Sequence, residues 1–352
     1  MRLLDPAAQP DAIDLAAQRL AEGGLLALPT ETVYGLGARA DDDAAVARIF
    51  AAKGRPSNHP LIVHVANVES SYQFASAIPP VARQLMERFW PGPLTVIVPR
   101  APGMAGASAG GQDTIGLRCP DHPVALQLLQ AAARLGVAGV AAPSANRFGR
   151  ISPTRAEHVV DEFKDQGDGL DEVWVLQGGP CEVGIESTIV DCSRGHPVIL
   201  RPGRLTRDEL EAAAGMPMGR STHEAPDPNA PRASGTLEAH YAPRAKVRLM
   251  SDEHLDMALN MVEPELAARP FEGQKLVPRI AVYSRSLWAR RSARPGLVFR
   301  PMPADPVQAA HDLFSDLREL DALGVDLIWV EAPPEDAAWD GVRDRLTRAA
   351  AA

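Results

Sequence analysis

Lys53 and Arg55 stand two residues apart at the end of a predicted helix, where both can reach one anion. Arg118 and Arg201 each close a predicted apolar strand. Strand ends on one side of an α/β sheet converge, so these two guanidinium groups are expected to face one cleft. A guanidinium grips phosphate or carboxylate through paired hydrogen bonds, each charged bond contributing about 1.5–3 kcal/mol. Hydroxyls gather at or beside the same predicted strand ends: Thr30, Thr32, Thr114, Ser144, Ser152, Ser187 and Thr188. With free backbone N–H groups they can hold ribose, phosphate or carboxylate, although any one of them alone is explained by capping or turn formation. His64 lies between Val63 and Val65, and alternation turns it to the other face of its strand. Taken alone, such a histidine reads as a satisfied core residue. The sequence has no GxxxxGK[ST] and no HExxH, and no GxSxG in the right setting. An enzyme built from these residues works by positioning and charge, on a nucleotide-like or other small anionic ligand.

The elements that must position them follow from periodicity and punctuation. A helix over residues 10–22 (apolar stripe Ile13, Ala16, Ala17, Leu20) stops at Gly23-Gly24 and leads into a short strand, Leu25 to Leu28. Thr30 to Tyr34 follow, then a turn with Gly35 and Gly37. Asp41 to Asp43 can cap a helix through Ala52. Strands are expected at Leu61–Val65, Leu94–Val98, Thr114–Arg118, Gly139–Ala142, Val173–Leu176, Ser187–Asp191 and Val198–Arg201. Helices are expected at Pro79–Trp90, Pro123–Leu135 and Thr154–Phe163, with a Gly/Ala/Ser-rich loop at 104–111. Early alternation and later clustering of strands predict a mixed α/β sheet. Pro, Gly and Ser crowd 215–245, which reads as a linker, yet HYAP at 240–243 gives it an aromatic that suggests docking. From Lys246 the pattern restarts. Strands are expected at Val247–Met250, Arg279–Tyr283, Gly296–Phe299 and Asp326–Glu331, with helices at Asp252–Ala267, Pro306–Leu323 and Ala337–Ala349. That is a small Rossmann-like unit without GxGxxG.

Bulk properties exclude several classes. With 352 residues, 45% hydrophobic and 23% charged, the chain is globular and expected to form two domains. A net charge of −9 argues against a surface coated for nucleic acid, although a basic cleft gripping RNA weakly stays open as a rival reading. Cys119, Cys181 and Cys192 form no CxxC pair, so neither a zinc site nor a disulfide framework is predicted. With no signal layout and no membrane-length apolar run, the expected location is the cytoplasm.

Seven stretches in order are PTETVYGLG, KGRP, HPLIVH, PSAN, ESTIVD, ILRPG and HYAP. Together they resemble the threonylcarbamoyl-AMP synthase family, the two-domain form of the YrdC-like proteins. The resemblance implies a YrdC-like twisted mixed sheet with a concave basic cavity (residues 1–214), a linker acting as a lid (215–245) and a smaller Rossmann-like domain (246–352). It implies condensation of L-threonine, bicarbonate and ATP to threonylcarbamoyl-AMP, pyrophosphate and water. The product would go to the machinery that modifies an adenosine of tRNA, with no membrane partner. By motif, Thr32, His64, Arg118, Ala142 and Ser187 would hold threonine. Arg55, His59, Thr114, Ser144, Ser152, Arg201 and Tyr241 would hold ATP, with Mg²⁺ on its phosphates. Lys53 and Arg55 would be the catalytic cations. No protein metal-ligand set is implied. The related carbamoyl-transfer enzymes carry zinc-finger segments with CxxC pairs, which this chain lacks.

Overall fold

The computed structural model describes residues 1–164, 172–221, 230–267, 280–287 and 296–352. These form two compact units, one of residues 1–148 with 152–236 and one of 149–151 with 237–352. The first unit therefore carries part of the stretch expected to be linker, up to Thr236; residues 222–229 of that stretch lie outside the described residues.

In chain order the first unit contains β1 (Arg2–Leu4), α1 (Ala12–Ala21), β2 (Leu26–Leu28), β3 (Gly35–Arg39), α2 (Asp43–Lys53) and β4 (Ile62–His64). Next come α3 (Val68–Ser71), α4 (Pro80–Phe89), β5 (Leu94–Pro99), β6 (Thr114–Arg118), α5 (Pro123–Arg134) and β7 (Val140–Ala141). It closes with α6 (Ala156–Phe163), β8 (Trp174–Leu176), β9 (Thr188–Asp191), β10 (Val198–Arg201), α7 (Arg207–Ala214) and β11 (Gly219–Arg220). Its eleven strands make one mixed sheet in the order β1-β8-β2-β3-β7-β4-β6-β5-β9-β10-β11. β4/β6 and β5/β9 run parallel, whereas β3/β7, β4/β7 and β5/β6 run antiparallel.

Local chemistry explains most boundaries. Asp42 caps α2 by accepting from the N–H groups of Ala44 and Ala45 at 2.9 and 3.2 Å. Gly54 ends α2 at φ +63°, a left-handed geometry that turns the chain so that Arg55 follows directly. Besides the short α3 and β11, neither of them expected, three elements depart from expectation. The Gly35/Gly37 stretch is strand β3 rather than a turn. The glycines are there for close approach: a Cβ on Gly37 would lie 2.8 Å from both Leu28 and Val140 side-chain carbons. α7 forms where no helix was expected, started by a reciprocal Thr206–Glu209 capping box and ended by Gly215. β1 is a third addition; its three residues hold one buried side chain, too little pattern to read.

The second unit contains β12 (Lys246–Met250), α8 (Asp252–Ala267), β13 (Ile280–Ser284), β14 (Leu297–Pro301), α9 (Pro306–Ala322), β15 (Leu327–Glu331) and α10 (Asp340–Ala350), which follows a short 3-10 turn. Its four strands are all parallel, in the order β12-β15-β13-β14, the Rossmann-like arrangement predicted. Arg279, with which the second expected strand of this unit began, lies outside the described residues. Glu331, the last residue of β15, turns its carboxylate into the start of the loop after β13. Its carboxylate accepts from the Ser284 and Ser286 hydroxyls at 2.5 and 2.9 Å, and from the N–H groups of Arg285 and Ser286, both at 2.9 Å. It also meets the Arg285 guanidinium at 2.7 Å. Burial alone would raise its pKa, but these partners hold it below the usual glutamate range. No helix among the described residues is long and apolar enough to cross a membrane.

Candidate active site

The site grows out of three adjacent central strands. In the β4–β6 pairing His64 stands opposite Arg118, and in the β4–β7 pairing it stands opposite Val140. Ala142, just past β7, donates its N–H to the Ile62 carbonyl at 3.0 Å. The loop between β2 and β3 brings Thr32 to the same place, where its hydroxyl accepts from Arg118 Nη1 at 2.8 Å. Thr30 fixes that loop: its hydroxyl donates to the Val33 carbonyl at 2.7 Å and lies 2.9 Å from the Thr32 hydroxyl. Arg118 Nη2 also approaches Glu31 Oε1 at 2.7 Å, an ion pair off the line of a hydrogen bond.

His64 is neutral here. Burial first, and the Arg118 charge second, bring its pKa down to about 3. It therefore serves as a polar contact and not as a cation.

A second group forms around the other cations. Ser187 lies just before β9; its hydroxyl is 2.8 Å from that of Thr95 and accepts from Arg201 Nη2 at 3.2 Å. Arg201 also donates twice to the Ser187 carbonyl, at 2.9 and 3.1 Å. Its remaining nitrogen, Nη1, reaches the Ser234 carbonyl at 2.8 Å, while Arg55 Nη2 contacts the Ser234 hydroxyl at 3.4 Å and the Pro60 carbonyl at 3.0 Å. The segment 230–236 thus lies across two of the predicted anion-binding arginines. It is held further along by Gln112, which accepts from Arg232 N–H at 2.8 Å and donates to its carbonyl at 3.1 Å. Ala230 and Ala233 pack on Ile62, Ile97, Ile189, Val198 and Leu200.

Lys53 donates to the carbonyls of Ser144, at 2.6 Å, and Asn146. Burial and the Arg55 charge push its ammonium well below the ordinary lysine range, against the pull of Glu162 and Glu186. In this structure Lys53 organises the PSAN loop. Ser152 donates to Glu186, beside Ser187. His59 stacks edge-on against Phe148 at 5.5 Å, and the same ring lies 5.6 Å from the Arg55 guanidinium.

Lys53, Arg55, Arg118 and Arg201 are 3, 7, 3 and 2% exposed, which rules out a solvated charged face. Buried cations are costly unless partnered, and carbonyls, hydroxyls and Glu31 partner these. Two predicted residues stand apart from the network just described. Thr114 opens β6 opposite Pro99, half-buried. Tyr241 belongs to the second unit, where its buried ring lies 5.4 Å from that of Phe314 and 5.4 Å from the Arg345 guanidinium, at φ +62°. Within the first unit the two arginines are crossed by Ser234. Thr95, Gln112 and Ser234 were not singled out from sequence; Ser234-Gly235 looks like any flexible dipeptide in a Pro/Gly-rich stretch.

The fold and this network define a class: a two-unit α/β protein whose mixed sheet gathers buried cations, hydroxyls and a neutral histidine for small anionic substrates. Comparisons narrow the class. The Sua5/YciO/YrdC family, described as "Telomere recombination", matches residues 18–203, and "Threonylcarbamoyl-AMP synthase, C-terminal domain" matches 205–351. The chain is 38% identical to a threonylcarbamoyl-AMP synthase of Pyrococcus abyssi, over 96% of this chain and 93% of that one. A Bacillus subtilis protein of the same name is 35% identical over 95% and 92%. A crystal structure of P. abyssi Sua5 complexed with L-threonine superposes with a TM-score of 0.82 at 35% identity, covering 99% of this chain and 97% of that one. The chain belongs to the threonylcarbamoyl-AMP synthase family, and it is an enzyme.

Proposed function

We propose that the chain is an L-threonylcarbamoyladenylate synthase, a nucleotidyltransferase that condenses L-threonine, bicarbonate and ATP to threonylcarbamoyl-AMP, pyrophosphate and water. The observation that carries this reading is the pair of buried polar groups on the first unit's sheet, Arg118, Thr32 and His64 in one and Arg55, Arg201 and Ser187 in the other. The first group suits an amino acid: Arg118 for the carboxylate, with Thr32, His64, Ala142 and Ser187 around it. The second suits a polyphosphate, with Arg55 and Arg201 as cations and His59, Thr114, Ser144, Ser152 and Tyr241 as further ATP contacts. That the similar P. abyssi Sua5 was complexed with L-threonine supports threonine as a substrate.

The chemistry needs no protein nucleophile. Threonine's amine and bicarbonate give a carbamate, itself an anionic nucleophile, which attacks the α-phosphorus of ATP and expels pyrophosphate. Holding the two in line supplies up to about 7–11 kcal/mol through effective molarity. Arg55 and Arg201 spread the charge that develops, and Lys53 fixes the PSAN loop. ATP enters as its Mg²⁺ complex, the metal neutralising phosphate charge. In this reading the phosphates carry the metal. The segment 230–236 excludes water from the labile carbamate. The product passes to a tRNA threonylcarbamoyl-transfer machinery in the cytoplasm.

The test is pyrophosphate release with each substrate omitted in turn. Release requires ATP, threonine and bicarbonate together; equal release without threonine overturns the reading.

A further inference from the structure

Glu31 has no place in the scheme above, yet it is among the most confined charges in the molecule. It is 3% exposed, and its backbone is pinned by the Val183 N–H, which donates to the Glu31 carbonyl at 2.7 Å. Both carboxylate oxygens are buried without an aligned hydrogen-bond donor, and the close contact they make is the Arg118 guanidinium at 2.7 Å. Arg118 is the group assigned to the substrate carboxylate. When that carboxylate arrives, Glu31 and the substrate compete for one cation. A buried carboxylate stripped of its cation costs several kcal/mol, so a compensating positive charge must come with the ligand. A free amino acid brings one, its α-ammonium.

We propose that Glu31 is a further catalytic residue of this site, taking the α-ammonium of the amino acid while Arg118 takes the carboxylate, and then accepting the ammonium's proton. The inference rests on the synthase reading. Arg118, Glu31 and the two ends of the zwitterion then form an alternating set of charges. In the step that follows, one N–H bond of the ammonium breaks and its proton goes to a Glu31 oxygen, leaving a neutral amine. The amine lone pair forms the N–C bond to bicarbonate, and one water leaves from the bicarbonate carbon. The carbamate carries the single negative charge that bicarbonate brought. Glu31 returns its proton to solvent when product departs.

The charged and titratable groups facing Glu31 are Arg118 and Cys119 at the end of β6, Asp121 and His122 before α5, and Cys181 in the loop after β8, with Glu182 next to it. Burial pushes the Cys119 thiol up to about 12 and the Cys181 thiol above the ordinary range, and it pushes His122 below the usual histidine range. None of these three changes charge between pH 7 and 9.

The experiment measures threonine-dependent pyrophosphate release from pH 7 to 9 for the full chain, Glu31→Gln and Glu31→Asp. The parent chain is measured first. If its release is independent of threonine, the synthase reading has failed, and with it the basis of this inference. If it depends on threonine, the variants decide. With no internal base, Glu31→Gln must recruit the rare free amine, so kcat/KM for threonine rises up to about tenfold per pH unit while the parent stays nearly flat. A Glu31→Gln profile parallel to the parent at similar rate overturns the proposal. Because the Gln variant leaves Arg118 without its carboxylate and can lose stability, Glu31→Asp is the second arm. It keeps the base but withdraws it by about one bond length, and is expected to keep the flat profile with kcat reduced at least tenfold. A Glu31→Asp enzyme with the parent kcat overturns the proposal as well.

Discussion

Arg118 and His64 face each other across one register step, and the Arg118 charge adds to burial in keeping His64 neutral. Arg118→Ala should weaken threonine binding at least about tenfold, since a charged hydrogen bond contributes about 1.5–3 kcal/mol, while ATP-analogue affinity stays within about twofold. Calorimetric titration with each ligand checks this, and the reverse pattern would remove Arg118 from the amino-acid side. His64 gives a pH prediction whose sign follows from its depressed pKa. Below pH 6.5 the unfolded chain binds a proton that folded His64 refuses, so stability falls with pH by up to about 1.4 kcal/mol per unit until pH 3. Between pH 7 and 5 the parent should therefore lose about 2 kcal/mol more than His64→Gln. Urea unfolding at both values is the measurement, and equal losses would show that His64 titrates normally.

Among the elements, the segment 230–236 invites the next test. Gln112 binds the Arg232 backbone in both directions, and removing those bonds by Gln112→Ala should leave the sheet intact but loosen the strap. Two exposed hydrogen bonds are worth about 1–3 kcal/mol together, so proteolytic cleavage within 230–236 should accelerate about fivefold or more at unchanged Tm. An ATP analogue at saturation should slow it again. The same segment marks where sequence reading stopped. Arg118, Arg201 and Thr32 were legible as polar groups at strand ends because apolar runs flagged the strands, whereas His64 taken alone read as a core residue and only the family resemblance marked it. The β3 strand was not, since Gly35 and Gly37 imitate a turn; only the close side chains of Leu28 and Val140 show why glycine is needed. Ser234 was invisible for another reason. Its role comes from two arginines 33 and 179 residues away in sequence, and no local pattern encodes such a meeting. Lys53 was legible as a cation but not as the residue that holds two loop carbonyls, because carbonyl partners leave no trace in residue type.

On the scale of the whole molecule, the first compact unit runs through Thr236, so a fragment of residues 1–236 should unfold cooperatively on its own. A fragment ending at 231 keeps the sheet but lacks Arg232 and Ser234. It should bind an ATP analogue at least about threefold more weakly than the 1–236 fragment, because two charged contacts that order Arg55 and Arg201 are gone. Equal affinities would make the strap irrelevant to the nucleotide. The second unit points in another direction. Parallel sheets of this kind receive their ligands just beyond the carboxyl ends of the strands, commonly as phosphate cradled by loop N–H groups. In this chain the N–H groups of Arg285 and Ser286, with the Ser284 and Ser286 hydroxyls, already close around the carboxylate of Glu331. The domain has become its own ligand: a parallel sheet whose anion is covalently supplied and unable to dissociate, so that a place where other such sheets take a ligand serves here as an internal rivet.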